Sequence, residues 1–219
     1  MIPDNKNIVV DLDDTLLEFK FPYIGEPIEG AVEAINTLAN MGFKTNIYSC
    51  RSNPSLFSSA SSMQQNLNDT EAALKRYGFK EFTIDRGDTG KPNALYYIDD
   101  AGIEFDRWEK LLFKSKFSAG TAVSVGLEDC ILDKDNNLIE GAADALGYLR
   151  KTGVNVTLTS VNEDKAGLTK ILKNYQILYD HLDDGKSGKP VCRYYIEHNM
   201  IPFHGNWDNV LKRIIDNKV

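Results

Sequence analysis

The sequence predicts an α/β protein: two tandem domains, each a mainly parallel sheet with helices on both faces. Three observations carry that expectation. Ile8-Val9-Val10 is a short continuous apolar run that breaks into Asp11-Leu12-Asp13-Asp14, the pattern of a strand buried on both faces of a parallel sheet. Amphipathic stripes at helical spacing then alternate with further short apolar runs, as strand–helix–strand units require. Finally, the same order of signals returns in the second half of the chain.

The first strand runs into Asp11 and Asp13, whose side chains leave an extended backbone on one face. Residues 14 to 27 follow, with Pro22, Gly25 and Pro27 among Phe19, Phe21 and Tyr23; they read as an irregular, hairpin-like connection beside the strand end. From Ile28 to Met41, Val32, Ile35, Leu38 and Ala39 make one apolar stripe, and Gly42 stands at the C′ position of the helix. Phe43 to Tyr48 is the second strand, ending at Ser49-Cys50-Arg51. Asn53-Pro54 is an N-cap followed by a first helical residue, opening one long helix or two broken near Asn68-Asp69, closed by Gly78. Phe82 to Ile84 and Leu95 to Ile98 are the third and fourth strands, and Phe105, Trp108, Leu111 and Leu112 a closing helix.

The second half lies over the first. Ser124 to Leu132 matches Val9 to Leu17, and Ile139-Glu140-Gly141-Ala142 matches Ile28-Glu29-Gly30-Ala31. Gly153 falls where Gly42 did, Thr159-Ser160 where Tyr48-Ser49 did, Gly188-Lys189-Pro190 where Gly90-Lys91-Pro92 did, and Tyr194-Tyr195-Ile196 where Tyr96-Tyr97-Ile98 did. The expected organisation is a duplication with domains at 1–118 and 119–219 and a boundary within Ser115 to Gly120.

Length, charge and composition bound the function. The 219 residues, 42% of them hydrophobic, suffice for two cores. No apolar run approaches the roughly 18 residues of a membrane span, and Met1-Ile2-Pro3-Asp4 has no leader character. Cys50, Cys130 and Cys192, odd in number and widely spaced, read as reduced thiols, so a cytoplasmic protein is expected. A net charge of −7 disfavours a grip on extended nucleic acid.

An acidic loop is the plain reading of Asp11-Leu12-Asp13 alone, a turn that of Ser49, and a solvated turn that of Asp99-Asp100. Their shared order changes the reading. A strand ending in Asp11-Leu12-Asp13-Asp14-Thr15, a strand ending in Ser49, then Lys91, then a strand ending in Asp99-Asp100 resembles the four ordered motifs of the haloacid-dehalogenase-like (HAD) phosphohydrolases, over roughly residues 8 to 100. The resemblance implies three-layer Rossmann-like domains and a Mg²⁺-dependent phosphatase. Asp11 would be the nucleophile, forming an aspartyl-phosphate. Asp13 would be general acid for the leaving alkoxide and general base for the water. Ser49 and Lys91 would bind the phosphoryl group and balance its charge, with Arg51 as a further bidentate contact. Mg²⁺ would sit among Asp11, Asp13 (through its main-chain carbonyl), Asp99 and Asp100, resolving the repulsion of four convergent carboxylates. Ala101 stands where close relatives often carry Arg.

In the second half, Gly126 stands for Asp11, Glu128 for Asp13 and Glu197-His198 for Asp99-Asp100. Glycine cannot be a nucleophile, so this half is expected to be a catalytically inactive copy, with Ser160 and Lys189 surviving as weak anion-binding residues. A helix, its loops and a strand consume each interval between the motifs of the first half, leaving no room for an inserted cap domain. An open site suits small or exposed macromolecular phosphate monoesters. A non-catalytic metal- and phosphate-binding or regulatory module is the alternative function.

Overall fold

The structure, a computed structural model, describes residues 6–114 and 117–216. Met1 to Asp4 and the boundary residues Ser115 and Lys116 lie outside them. The elements in order are β1 (Asn7–Val10), α1 (Ala31–Asn40), β2 (Lys44–Ile47), α2 (Ala60–Tyr77), β3 (Phe82–Ile84), β4 (Tyr96–Asp99), β5 (Gly102–Glu104) and α3 (Trp108–Lys114). The second half continues with β6 (Ala122–Gly126), α4 (Ala142–Lys151), β7 (Asn155–Thr159), α5 (Lys165–Asn174), β8 (His181–Leu182), β9 (Tyr194–Glu197), β10 (Met200–Pro202) and α6 (Trp207–Asp216).

Local signals are obeyed closely. Gly30 and Gly141, which fall in matching stretches of sequence, both open their helices in the left-handed region at φ 79°, where a side chain would be strained. Gly42 follows α1 at φ 84°, as its C′ position requires. One expectation shifts. Asn53-Pro54 caps only a short 3₁₀ turn over Pro54–Leu56, while α2 starts at Ala60 behind a Ser59–Ser62 capping box. It then runs unbroken through Asn68 and Asp69 to a left-handed Gly78.

Two five-stranded parallel sheets result, in the orders β10-β4-β1-β2-β3 and β5-β9-β6-β7-β8. The halves exchange their edges. β10, from the second half, pairs with β4 (Ile201 opposite Ile98), and β5, from the first, pairs with β9 (Ile103 opposite Ile196). The following helices cross over too. Phe203, Trp207, Val210 and Ile214 complete the core built on Ile8, Val10, Ile35, Leu38 and Ile98. Phe105, Trp108 and Leu111 complete the core of Val123, Val125, Leu146, Leu158 and Ile196.

The exchange has a steric reason. Only Asp100 and Ala101 separate β4 from β5, and parallel neighbours in one sheet need a crossover of about a dozen residues. With so short a link, a parallel strand must join the other sheet. The division expected at 118/119 therefore follows chain order but not packing: β5 and α3 belong to the second sheet and core, and β10 and α6 to the first. Two buried tryptophans lock the exchange in matching ways. Trp108 Nε1 donates to the Cys130 carbonyl at 2.8 Å, and Trp207 Nε1 to the Thr15 carbonyl at 3.1 Å.

Candidate functional site

The exchange brings the ends of β1 and β4 against a loop of the opposite half. Asp11 follows β1 and is buried; its N–H donates to the Ile98 carbonyl at 2.9 Å, fixing it beside β4. Asp99 ends β4 and is buried too, whereas Asp100 is exposed at the lip. Thr15 ties that lip to the β1 loop, its Oγ1 accepting from Asp100 N at 3.1 Å.

The lysine here is Lys189, from the second half. Its Nζ donates to Asp11 Oδ1 at 2.5 Å and to Asp99 Oδ2 at 2.7 Å. Three features aim it. Its ammonium lies 4.2 Å from the centre of the Tyr195 ring, a cation–π contact, and the Tyr195 hydroxyl donates to the Pro190 carbonyl at 2.6 Å. Its backbone is held by the Ser49–Asn53 loop: Lys189 N donates to Ser52 Oγ at 3.3 Å, and Asn53 Nδ2 to the Lys189 carbonyl at 3.0 Å. Gly188, at φ 64°, permits that approach, since a Cβ there would meet Ser52 O at 2.3 Å.

Lys91, the lysine expected at this site, is not in it. It crosses to the second half, where its Nζ donates to Glu197 Oε2 at 2.7 Å beneath the Tyr97 ring. The reason is the edge exchange: each Gly-Lys-Pro loop is carried over to the opposite half's strand ends. The two copies of Gly-Lys-Pro were the available signal, but chain order assigns each to the wrong site. Lys189, expected beside Ser160 as a weak anion-binding residue of the second half, is instead engaged with Asp11 and Asp99.

Arg51 is likewise redirected. It is 1% exposed, and its Nε and Nη2 grip the Asp13 carboxylate at 2.8 and 2.7 Å. Nη2 also donates to the Tyr23 carbonyl at 2.9 Å, and Phe21 lies across the guanidinium at 5.3 Å. Arg51 thus lines the cleft with its guanidinium engaged on Asp13 and the 14–27 connection. Ser49 is buried at the end of β2, its Oγ accepting from Arg51 N at 3.2 Å. Asp11, Asp13, Ser49, Asp99, Asp100 and Lys189 all line one open cleft.

Burial is the largest influence on Asp11. It pushes the carboxyl well up, the Asp99 and Asp13 charges push the same way, and Lys189 opposes them. Burial works against the Lys189 ammonium, but Asp11 and Asp99 outweigh it and hold that pKa well above the ordinary lysine value. Burial and Asp99 raise Asp100 as well. A cation would relieve this crowding. Carboxylate oxygens of Asp11, Asp99 and Asp100 lie within 4.8 Å of one another, and each carboxylate keeps an oxygen beyond any held by Lys189, so the donors fit a hard ion such as Mg²⁺. The Asp13 side chain is not in that cluster. Among the described residues it is the only such group of three.

The second half's corresponding site is filled by Glu197 and by Lys91 from the first half. A Cβ on Gly126 would meet Glu197 Oε2 at 2.1 Å, so the longer Glu197 and its Lys91 partner occupy the space of a nucleophile. Ser160 Oγ donates to Glu128 Oε1, as does Val161 N at 3.1 Å. These donors correspond to those at Ser49 and Cys50. The second Glu128 oxygen is buried without a hydrogen bond. His198 Nε2 lies 3.5 Å from Asp129 Oδ2.

No family model matches the chain, and no curated protein does. Among solved structures the chain is similar to a D,D-heptose 1.7-bisphosphate phosphatase from B. bronchiseptica complexed with magnesium and phosphate. The identity is 12%, the TM-score 0.32, and the match covers 97% of this chain and 99% of that one. Among the described residues no helix is long and apolar enough to cross a membrane, and the three cysteines are free thiols.

Proposed function

We propose that the chain is a HAD-like, Mg²⁺-dependent phosphate monoester hydrolase with one working site, assembled from both halves of an internal duplication. Asp11 is the nucleophile: its carboxylate oxygen bonds to phosphorus as the bond to the leaving alkoxide breaks, and Asp13, protonated on an oxygen released from Arg51, gives that alkoxide its proton. Asp13 then takes a proton from water as the water oxygen attacks phosphorus, releasing phosphate and restoring Asp11. Mg²⁺ among Asp11, Asp99 and Asp100, with the Asp13 carbonyl, would neutralise phosphoryl charge. Ser49 offers a hydroxyl to a phosphoryl oxygen, and Lys189 takes the charge-balancing role that chain order gives to Lys91. Arg51 acts through Asp13, fixing where its carboxylate stands. The second half hydrolyses nothing by this route, because its nucleophile position is glycine.

One observation carries this reading: a buried ammonium bridges the carboxylates of Asp11 and Asp99, with Asp100 alongside, at the carboxyl ends of adjacent parallel strands. That place in an open α/β sheet is where ligands bind. Hydrolysis of an aryl phosphate with and without Mg²⁺, beside Asp11→Asn, tests it. The expected result is Mg²⁺-dependent turnover that the substitution abolishes. If neither protein turns over an aryl phosphate while both bind Mg²⁺ and phosphate, the chain is a binding module.

A further inference from the structure

The walls of the cleft differ in character from its floor. The floor is ionic, but its cations are committed: Arg51 to Asp13, Lys189 to Asp11 and Asp99. Lys20, on the 14–27 connection, places its ammonium 3.0 Å from Glu18. Around the mouth stand Phe19, Phe21, Leu56, Ala101, Val191 and Cys192. Three are well exposed for apolar residues, with Phe19 at 62%, Val191 at 47% and Leu56 at 36%. They come from three separate segments and both halves of the chain, yet meet over one site. Phe21 is fixed edge-on against Phe57 at 5.5 Å and stacked on Arg51, so that wall is a preformed surface.

Resting on the hydrolase reading, we propose that the alcohol released here is uncharged and presents a flat aromatic or apolar face to Phe19, Leu56 and Val191. The favoured substrate class is thus the monophosphate of an aromatic-faced alcohol. A sugar phosphate would leave these side chains facing hydroxyls that need water. A second phosphate on the substrate would meet Asp13 and Asp100 with no uncommitted cation lining the cleft among the described residues. Burying one such side chain against a ligand is enough for about a tenfold preference.

The test compares kcat/KM for 1-naphthyl phosphate, glycerol 2-phosphate and a sugar bisphosphate, in the full chain and in Phe19→Ala/Val191→Ala. The expected order places 1-naphthyl phosphate at least about tenfold above the others. The double substitution should lower that value about tenfold while leaving glycerol 2-phosphate within about twofold. Equal use of all three substrates, or a double variant that slows all equally, overturns the proposal and leaves the hydrolase reading standing. Calorimetry on Asp11→Asn with Mg²⁺ separates the two claims. Binding of 1-naphthylphosphonate more tightly than methylphosphonate without any turnover by the unsubstituted chain upholds the apolar mouth and defeats the hydrolase. Equal binding of the two phosphonates defeats the mouth.

Discussion

At Asp11, burial and the neighbouring Asp99 both oppose ionisation, whereas the nucleophilic role proposed for it requires a carboxylate. Lys189 is the side chain that reconciles the two, and its own charge is held by the same pair. Residue identity made Asp11, Asp13, Ser49, Asp99 and Asp100 legible in the sequence, because each stands at or just after a strand end that local pattern predicts. The partner of each was not legible. Arg51 looks like a free cation in the sequence and is a buried clamp on Asp13. Cys50 follows Ser49 in the cleft, yet burial raises its thiol, and burial pushes Cys192 up to about 12. A raised pKa keeps the thiol protonated, and the thiolate is the reactive form. Alkylation of the folded protein by iodoacetamide should therefore be slow at about pH 7 and still be climbing at about pH 10, without a plateau. A rise that levels off just above pH ~8.5, the ordinary thiol value, would contradict this environment.

At the scale of elements, the ends of α1 and α2 were readable because Gly42 and Gly78 answer to local backbone demands. The exchange of β5 with β10 and of α3 with α6 was not. An amphipathic stripe specifies that a helix is covered but not by which sheet, and the two sheets offer closely similar edges. What decides is the two-residue link after Asp99, whose consequence depends on strand direction. The exchange makes a stability prediction that chain order would not. Trp207 lies in the second half but is buried in the first half's core with Ile8, Val10 and Leu16. Trp207→Ala should lower stability by about 3–5 kcal/mol. Hydrogen exchange should show lost protection in β1 and β4, with the strands β6 and β7 less affected. Loss confined to β6, β7 and β9 would place α6 on its own half instead.

At the scale of the whole molecule, the second half, with Gly126 where the first has Asp11, is not a passenger. Its Gly-Lys-Pro loop supplies the ammonium on Asp11, its edge strand closes the first sheet, and its last helix fills the first core. The second site has closed on itself: Glu197 and Lys91 fill it, and Glu128 takes the hydroxyl and amide that a phosphate would need. Turnover of an aryl phosphate by Lys189→Met, set beside Lys91→Met/Glu197→Gln, tests that division of labour most directly. The paired change on the second side avoids stranding a buried carboxylate. Lys189→Met is expected to reduce kcat by about 10²- to 10³-fold while the protein remains folded, with the double variant within a few-fold of the unsubstituted chain. Full activity in Lys189→Met, with activity lost on removing Lys91, would contradict it.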